Sequence, residues 1–235
     1  MEFVIAEEIF DLFPNIQIVA ALSRDLDSSR ADRGKIASFL RTAWQSAGEA
    51  VLAAGNAQSH PNIKAWGTAM AAAGAPRKKF PSSIEALGRR AGKGGEPVSI
   101  NPVVDFYNAI SLRHLVPAGG YDLDSLRQDL QLRLSRAGDT FMALDAEEAE
   151  QIAPGEVSYA DGPEIITRHF VWKQSRHALL TPESRNVLFV SEILGELPPE
   201  TTETIRAAFA DGLAEYLGNS ARVEVLDRQN NSMSL

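Results

Sequence analysis

Residues 101–124 contain an asparagine and a glycine pair whose positions suggest a binding site. The segment predicts a helix capped by Asn101, because an asparagine side chain can accept amide protons at a helix start. Asn108 falls inside this helix, next to its apolar stripe. Gly119 and Gly120 follow in a Pro-Ala-Gly-Gly turn that permits positive φ and close approach by another group. Asn108 is either a ligand-facing amide or a buried side chain satisfied by neighbouring backbone, and the segment leaves both interpretations open.

A second set of polar residues lies on the predicted strands of the later half. Trp172, Lys173 and Gln174 place an aromatic ring, a cation and an amide together at the end of one strand. Glu192 interrupts the apolar strand 187–194 and, by the period of two, faces the same way as Val190. Its carboxylate either reaches solvent at the strand end or accepts hydrogen bonds from a ligand.

A basic segment stands out in an otherwise acidic chain. The net charge of −8 argues against nonspecific binding of polyanions, which needs clustered Lys and Arg. Between positions 77 and 93, however, six cations surround the single acid Glu85: Arg77, Lys78, Lys79, Arg89, Arg90 and Lys93. The segment either contacts a phosphate backbone or forms a solvated helix face.

Several reaction classes lack their sequence signatures. The chain has no cysteine, and its four histidines lack the short spacing that places two metal ligands on one helix face, so neither a metal nor a cofactor is expected. His169 and His177 could pair across a turn, although a surface position is the preferred interpretation for both. No phosphate-binding loop, nucleophile elbow or dinucleotide fingerprint is present.

The length of 235 residues permits a sizeable core. No apolar run approaches the roughly 20 residues of a membrane span, and the N-terminal segment lacks the basic start of a signal peptide. We therefore expect a cytoplasmic protein with no membrane association.

Helical patterns dominate the first half of the chain and strand patterns the second, which predicts an α+β fold. The predicted helices are 28–54, 61–73, 82–91, one that starts at 101 and stops at the Pro-Ala-Gly-Gly turn, and 200–217. The predicted strands are 3–5, 16–22, 130–134, 140–144, 156–159, 165–172, 186–193 and 222–226. Residues 227–235 form a polar tail that is expected to fray.

Taken together, these segments resemble the B3/B4 domain family, which comprises the editing module of the bacterial phenylalanyl-tRNA synthetase beta subunit and its freestanding relatives. The resemblance spans nearly the whole chain and is strongest in residues 101–124. The Pro-x-Gly-Gly-Tyr-Asp-Leu-Asp and Ser-Ser-x-Glu-Ala-Leu elements point to the freestanding branch. Other matching elements are Phe13-Pro14-x-Ile16, His60-Pro61-x-Ile63-x-Ala65-Trp66, Leu132-Arg133, Gly138-Asp139-x-Phe141, Gly155-Glu156-Val157, Asp161-Gly162 and Trp172-Lys173-Gln174.

The resemblance implies a three-layer α+β fold with an unusual β-sandwich flanked by helices. We expect one domain over 1–226, with a helix-rich part at 1–100 and the motif helix and β-rich part at 101–226. In the synthetases the central pocket hydrolyses tyrosine wrongly attached to tRNA. The resemblance therefore implies an aminoacyl-tRNA deacylase acting in trans, or a binding module for RNA or an amino acid, and leaves open whether the chain is an enzyme.

The resemblance also guides the expected site. The expected substrate-binding residues are Asn108, Gly119, Gly120, Trp172, Lys173, Gln174 and Glu192, and the expected RNA-binding residues are Arg77, Lys78, Lys79 and Lys173. The sequence departs from the synthetase pattern at three places. Gly119 occupies the place of a family histidine, Phe170 to Ser175 replaces a glycine-rich turn, and Val190 occupies the place of the glutamate that reads the tyrosine hydroxyl.

Overall fold

The computed structural model describes all residues from 1 to 235. It contains six α-helices and twelve strands, and the strands form two sheets. The helices are α1 (Glu7–Leu12), α2 (Arg33–Ala53), α3 (Pro61–Ala72), α4 (Ser83–Ala91), α5 (Pro102–His114) and α6 (Thr201–Leu217). The strands are β1 (Glu2–Ile5), β2 (Gln17–Ser23), β3 (Gly119–Asp122), β4 (Leu130–Leu134), β5 (Thr140–Phe141), β6 (Glu150–Gln151), β7 (Val157–Asp161), β8 (Glu164–Arg168), β9 (Lys173–Gln174), β10 (Val187–Ile193), β11 (Ala221–Leu226) and β12 (Ser232–Ser234). None of the helices is long and apolar enough to span a bilayer.

The smaller sheet has the order β11-β2-β10-β3, and every neighbouring pair in it is antiparallel. The larger sheet has the order β12-β1-β4-β7-β8-β5-β6, with β9 paired to β8. One hydrophobic core of 59 buried residues draws on both the helix-rich first hundred residues and the β-rich remainder.

Strand β10 lies at the centre of the layered arrangement, and all seven of its residues are buried. On one face Phe189 packs against Phe106 of α5 and Phe209 of α6, with both pairs of ring centroids 5.9 Å apart. On the other face Glu192 accepts a hydrogen bond from Tyr159 of β7 in the larger sheet. Helices, smaller sheet and larger sheet therefore form three layers, and the predicted α+β sandwich is confirmed.

Helix α5 begins and ends as its sequence predicts. The Asn101 side chain accepts the amide protons of Val103 and Val104, which otherwise lack intrahelical partners. At the other end Leu115 takes a positive φ of 52°, and the Ser111 hydroxyl donates to the Val116 carbonyl. The left-handed Leu115 and the Ser111–Val116 hydrogen bond end the helix and turn the chain towards β3.

Two segments have a backbone conformation that differs from the predicted one. The predicted turn at Gly119 and Gly120 is part of β3, and neither glycine has a positive φ. The predicted strand over 165–172 ends at Arg168, because His169 and Phe170 have positive φ values of 45° and 66° that no strand accommodates.

One helix starts later than predicted, and another was not predicted. The predicted helix at 28–54 begins only at Arg33, because Asp32 caps it by accepting the Lys35 amide proton. Helix α1 was not predicted, since it is six residues long and no side chain caps its start.

The C-terminal tail was predicted to fray, but it carries strand β12. This strand pairs antiparallel with β1 at the edge of the larger sheet, and Met233 opposite Phe3 is only 2% exposed. The Leu235 amide also donates to the carbonyl of Met1. The sequence gives no signal for this strand, because its partner lies more than 200 positions earlier.

We expect Met233→Ala to lower the free energy of unfolding by about 2–4 kcal/mol, because it leaves a cavity in the core. The exposed neighbour Ser234→Ala serves as the control and should change stability by less than about 0.5 kcal/mol. Urea unfolding followed by circular dichroism measures both values. Equal stability of the two variants would contradict a docked tail.

Candidate ligand-binding cavity

A cavity of about 340 Å³ opens between α4, α5, strand β3 and the segment that leads into β9. Its floor comes from the sandwich and its mouth from the loop before α5. The seven residues predicted from the sequence as substrate-binding all line it: Asn108, Gly119, Gly120, Trp172, Lys173, Gln174 and Glu192. The motif helix with its glycine pair and the tryptophan segment are therefore brought to one place, and their role in binding stays a prediction.

The register of β3 against β10 determines what each glycine does. Gly119 lies opposite Val190, whose side chain lines the cavity, and no atom lies within 4 Å of the place that a Cβ on Gly119 would take. Gly120 lies opposite Phe189, and a Cβ there would approach Leu180 Cδ1 to 2.7 Å. Gly119 thus leaves open space in the cavity, whereas Gly120 permits close packing beneath it.

Two hydrogen bonds join the two sheets at the floor of the cavity. The Tyr159 hydroxyl donates to Glu192 Oε1 at 2.6 Å, and the Tyr121 hydroxyl lies 2.9 Å from the Thr167 hydroxyl. Both tyrosines are buried, and burial raises the pKa of each hydroxyl well above its usual value. They therefore stay protonated across the physiological range, which preserves the hydrogen bond that Tyr159 donates to Glu192.

Glu192 is the only carboxylic acid in the cavity lining, and it is 3% exposed. Burial raises the pKa of its carboxyl to about 7, and the hydrogen bond from Tyr159 opposes that shift without cancelling it. The carboxyl oxygens can accept a hydrogen bond from a ligand, and the ionised form can pair with a ligand's cation.

Helix α5 contributes two polar groups that the protein itself leaves without partners. The side chains of Asn108 and Tyr107 line the cavity, and neither makes a hydrogen bond within the chain. Asn108 is half-buried, so the alternative of a buried amide satisfied by neighbouring backbone does not describe it. Burial, together with the nearby Asp105, raises the pKa of Tyr107.

Gln174 and Lys173 hold the β9 side of the cavity in two different ways. The Gln174 amide donates to the Gly120 carbonyl at 3.1 Å and so joins the larger sheet to β3 of the smaller one. The Lys173 ammonium lies 3.6 Å from the exposed Asp145 carboxylate, and its side chain is 38% exposed. A contact of this kind is weak, so Lys173 remains available to a ligand at the mouth.

Trp172 is positioned by neighbouring rings and by a strained turn. Its ring meets Phe80 edge-on at 4.7 Å, and the Arg168 guanidinium lies 5.6 Å from its centroid. The preceding residues His169 and Phe170 have the left-handed backbone described above, which costs about 1 kcal/mol or more for each non-glycine residue. Strain of this kind often persists at binding sites, and here it lies just before Trp172, which lines the cavity.

The preferred interpretation of His169 and His177 as surface residues is wrong. His169 and His177 do not pair with one another, and neither is a surface residue. His169 lies 3.3 Å from the Glu156 carboxylate, and His177 lies 2.8 Å from the Asp161 carboxylate. The pairing of a histidine with a distant acid depends on the tertiary fold, which sequence spacing alone does not specify.

The apolar residues at the mouth of the cavity were not predicted as site residues. Val98 and Ile100 lie there in the loop between α4 and α5, with Arg90 in the last turn of α4. Two β-branched apolar residues in an otherwise polar, glycine-rich loop were the available signal for this contact.

The basic segment divides into paired and unpaired cations. The buried Glu85 carboxylate binds Arg77 and Arg89, each at 2.5 Å. Arg77 is therefore occupied inside the fold and is dropped from the RNA-contacting residues predicted above. Lys78 and Lys79 are exposed and lie outside the cavity lining.

Ser82 and Glu85 have the spacing of a capping box, and the start of α4 forms half of that motif. The Ser82 hydroxyl accepts the Glu85 amide proton at 3.2 Å, as that motif requires. The Glu85 carboxylate does not reach back to the cap, because it binds the two arginines and the Gln58 amide instead. The structure contains no group of three or more His, Asp or Glu side chains positioned to hold a metal ion.

We expect the raised pKa of Glu192 to appear in the pH dependence of stability. The pKa of about 7 in the folded protein lies above the usual value of 4.5, so the native state binds the extra proton between these values. Stability then falls as the pH rises from about 4.5 through 7, by an amount on the order of 3 kcal/mol relative to Glu192→Gln. Urea unfolding of both proteins at pH 4.5, 6 and 8 measures this difference.

The comparison with Glu192→Gln removes the effect of His169, whose pKa burial lowers to about 4 and whose contribution to stability has the opposite sign. Both proteins keep that histidine. Glu49→Gln, at an exposed position of α2, serves as the control and should follow the wild-type curve. A constant stability difference between wild type and Glu192→Gln at every pH would show that this carboxyl titrates normally.

Comparison with known proteins places the fold in a family. The sequence model of the B3/4 domain matches residues 65–201, which is more than half of the chain. A crystal structure of an N-terminal fragment of the phenylalanyl-tRNA synthetase beta subunit from Pyrococcus horikoshii is similar, with 12% identity and a TM-score of 0.47. That match covers 94% of this chain and 50% of the fragment, so the chain spans half of the fragment's length. No curated protein matches. From the match to the family model, this chain belongs to the B3/4 domain family.

Proposed function

We propose that this protein is a trans-acting hydrolase that removes wrongly attached amino acids from tRNA. The observation that carries the proposal is that the glycine pair after α5 and the tryptophan segment before β9 line one cavity with a single buried acid at its floor. Small-molecule sites commonly combine an apolar lining with a few convergent polar groups. The relationship to a synthetase-associated family supports an aminoacyl ester as the ligand.

The charges of the cavity suit an aminoacyl group that enters with its nucleotide end outside. The only acid, Glu192, lies at the floor, and the cations Lys173 and Arg90 lie towards the outside. In the proposed complex the amino-acid side chain reaches Glu192 and Asn108, and the phosphates of the acceptor end lie near the two cations. A ligand bound in the opposite direction would place phosphates beside a buried carboxyl, which is electrostatically unfavourable.

The proposed reaction needs no protein nucleophile. Water attacks the ester carbonyl, the bond from that carbon to the ribose oxygen breaks, and the ribose oxygen takes up a proton from the attacking water. The products are the free amino acid and an uncharged tRNA. The cavity contributes by holding the ester and the water in place, since positioning of reactants can supply several kcal/mol of the barrier.

A second candidate is a module that binds an amino acid or RNA without hydrolysis. It is favoured by the absence of histidine from the cavity lining, since His169 lies beside Glu156 and His177 beside Asp161 instead. Ser83 also lies in the lining without a neighbouring histidine there that could activate it.

Deacylation assays with a panel of mischarged tRNAs separate the two functions. The proposal predicts release of at least one amino acid well above the uncatalysed rate, and Glu192→Ala should reduce that rate at least tenfold. Binding of mischarged tRNA with no release from any member of the panel would favour the binding module. Absence of both binding and release would overturn both functions.

The glycine pair provides a matched test of the cavity. Gly119→Val directs its side chain into open space, so we expect a stability close to that of the wild type and at least a tenfold loss of ligand binding or deacylation. Gly120→Ala should instead lower the free energy of unfolding by about 1–3 kcal/mol, because its Cβ meets Leu180. Full activity of a stable Gly119→Val protein would mean that the ligand lies elsewhere.

The exposed cations of the basic segment are proposed to contact RNA. We expect Lys78→Glu combined with Lys79→Glu to weaken tRNA binding and to reduce its dependence on salt concentration, because fewer counterions are released. Lys35→Glu, an exposed charge reversal on α2, serves as the control. Filter binding between 50 and 200 mM salt gives the slopes, and an unchanged slope in the double variant would assign these lysines to a solvated face.

A further inference from the structure

The loop between α4 and α5 carries two apolar side chains that the fold leaves uncovered. Val98 is 72% exposed and Ile100 is 65% exposed, although both line the mouth of the cavity. We call residues 92–100 the mouth strap. It contains neither helix nor strand, and it connects the basic last turn of α4 to the cap of α5.

The C-terminal end of the mouth strap is fixed. The buried Asp105 carboxylate accepts the Ser99 hydroxyl at 2.5 Å and the Ile100 amide at 2.8 Å. The following Asn101 caps α5 and donates from its amide to the Leu180 carbonyl at 3.2 Å. Ile100 therefore has a defined place at the mouth, with its side chain free.

The N-terminal end of the mouth strap is held far more weakly. Gly94 and Gly95 have positive φ values of 78° and 83°, and no atom lies within 4 Å of the place of a Cβ on either residue. Glu96 binds Arg41 at 3.2 Å, but both side chains are more than half exposed, so the pair contributes little. Residues 94–98 are exposed except for the partly buried Pro97, and their only side-chain tie is this exposed ion pair.

The size of the cavity indicates what the strap would cover. A volume of about 340 Å³ lies at the lower end of the roughly 300–1,000 Å³ found for small-molecule sites. It accommodates an amino-acid group, but the attached nucleoside must extend through the mouth. Val98 and Ile100 lie at this mouth, and Trp172, Arg90 and Lys173 line the same cavity.

Resting on the function proposed above, we infer that the mouth strap closes on the terminal nucleoside of the acceptor end, with Val98 and Ile100 packed against its base or sugar. A nucleoside offers a flat, largely apolar face, and the phosphates that join it to the rest of the acceptor end carry the negative charge that complements Arg90 and Lys173. Binding then removes the exposed apolar surface of both strap residues from water. The contact involves no part of the amino acid, so it is independent of which amino acid is removed.

The test uses the uncharged trinucleotide cytidylyl-cytidylyl-adenosine, which represents the acceptor end without an amino acid. Titration into the isotopically labelled protein should shift the amide resonances of Val98 and Ile100. The double variant Val98→Ser with Ile100→Ser should bind the trinucleotide about tenfold more weakly, with an unchanged melting temperature. Leu52→Ser, which removes an apolar side chain that is 64% exposed on α2 outside the cavity lining, should bind as the wild type does.

The possible outcomes separate the strap from the hydrolase. Trinucleotide binding that is absent in the wild type, or equal in the wild type and the double variant, overturns the role of the strap even if mischarged tRNA is hydrolysed. Weaker binding by the double variant supports the strap, and absence of deacylation by the wild-type protein would then contradict only the hydrolase.

Discussion

The hydrogen bond between the Tyr159 hydroxyl and the Glu192 carboxyl joins the two sheets at the floor of the cavity. It places an ionisable group between apolar layers, where an unpartnered carboxylate would be strongly unfavourable. The protein satisfies one carboxyl oxygen with Tyr159 and has no other side-chain donor for this group. Glu192 is therefore held in a fixed orientation with hydrogen-bonding capacity to spare, which is a property expected of a site that recognises a ligand.

The antiparallel register of β3 and β10 determines which side chains face the cavity. Because alternate residues face opposite sides of a sheet, Gly119, Val190 and Glu192 share the face turned to the cavity, while Phe189 faces the helices. A register change of one residue would bury Glu192 under α5 and α6 and point Phe189 at the cavity. The packing of Phe189 against Phe106 and Phe209 thus fixes the site as well as the core.

Sequence patterns were sufficient for the parts of the structure that depend on local periodicity. The alternation in β10 predicted the direction of Glu192, and the cap at Asn101 predicted the start of α5. They failed where contacts join distant positions or where the backbone adopts an unusual conformation. The pairing of Arg77 with buried Glu85 and of β12 with β1 depends on tertiary structure. The positive φ at His169 has no sequence signal, since glycine and asparagine are the residues that usually adopt it.

The proposed function and the proposed role of the mouth strap both require that an aminoacyl ester binds with its amino-acid part at Glu192 and its nucleoside at the mouth of the cavity. The most direct test is a crystal structure of the protein with non-hydrolysable 3′-amide analogues of aminoacyl-adenosines. We predict the amino-acid side chain within hydrogen-bonding distance of Glu192 or Asn108, and the adenosine between Trp172 and the mouth strap. An analogue bound outside this cavity, or one with its adenosine buried against Glu192, would contradict the account.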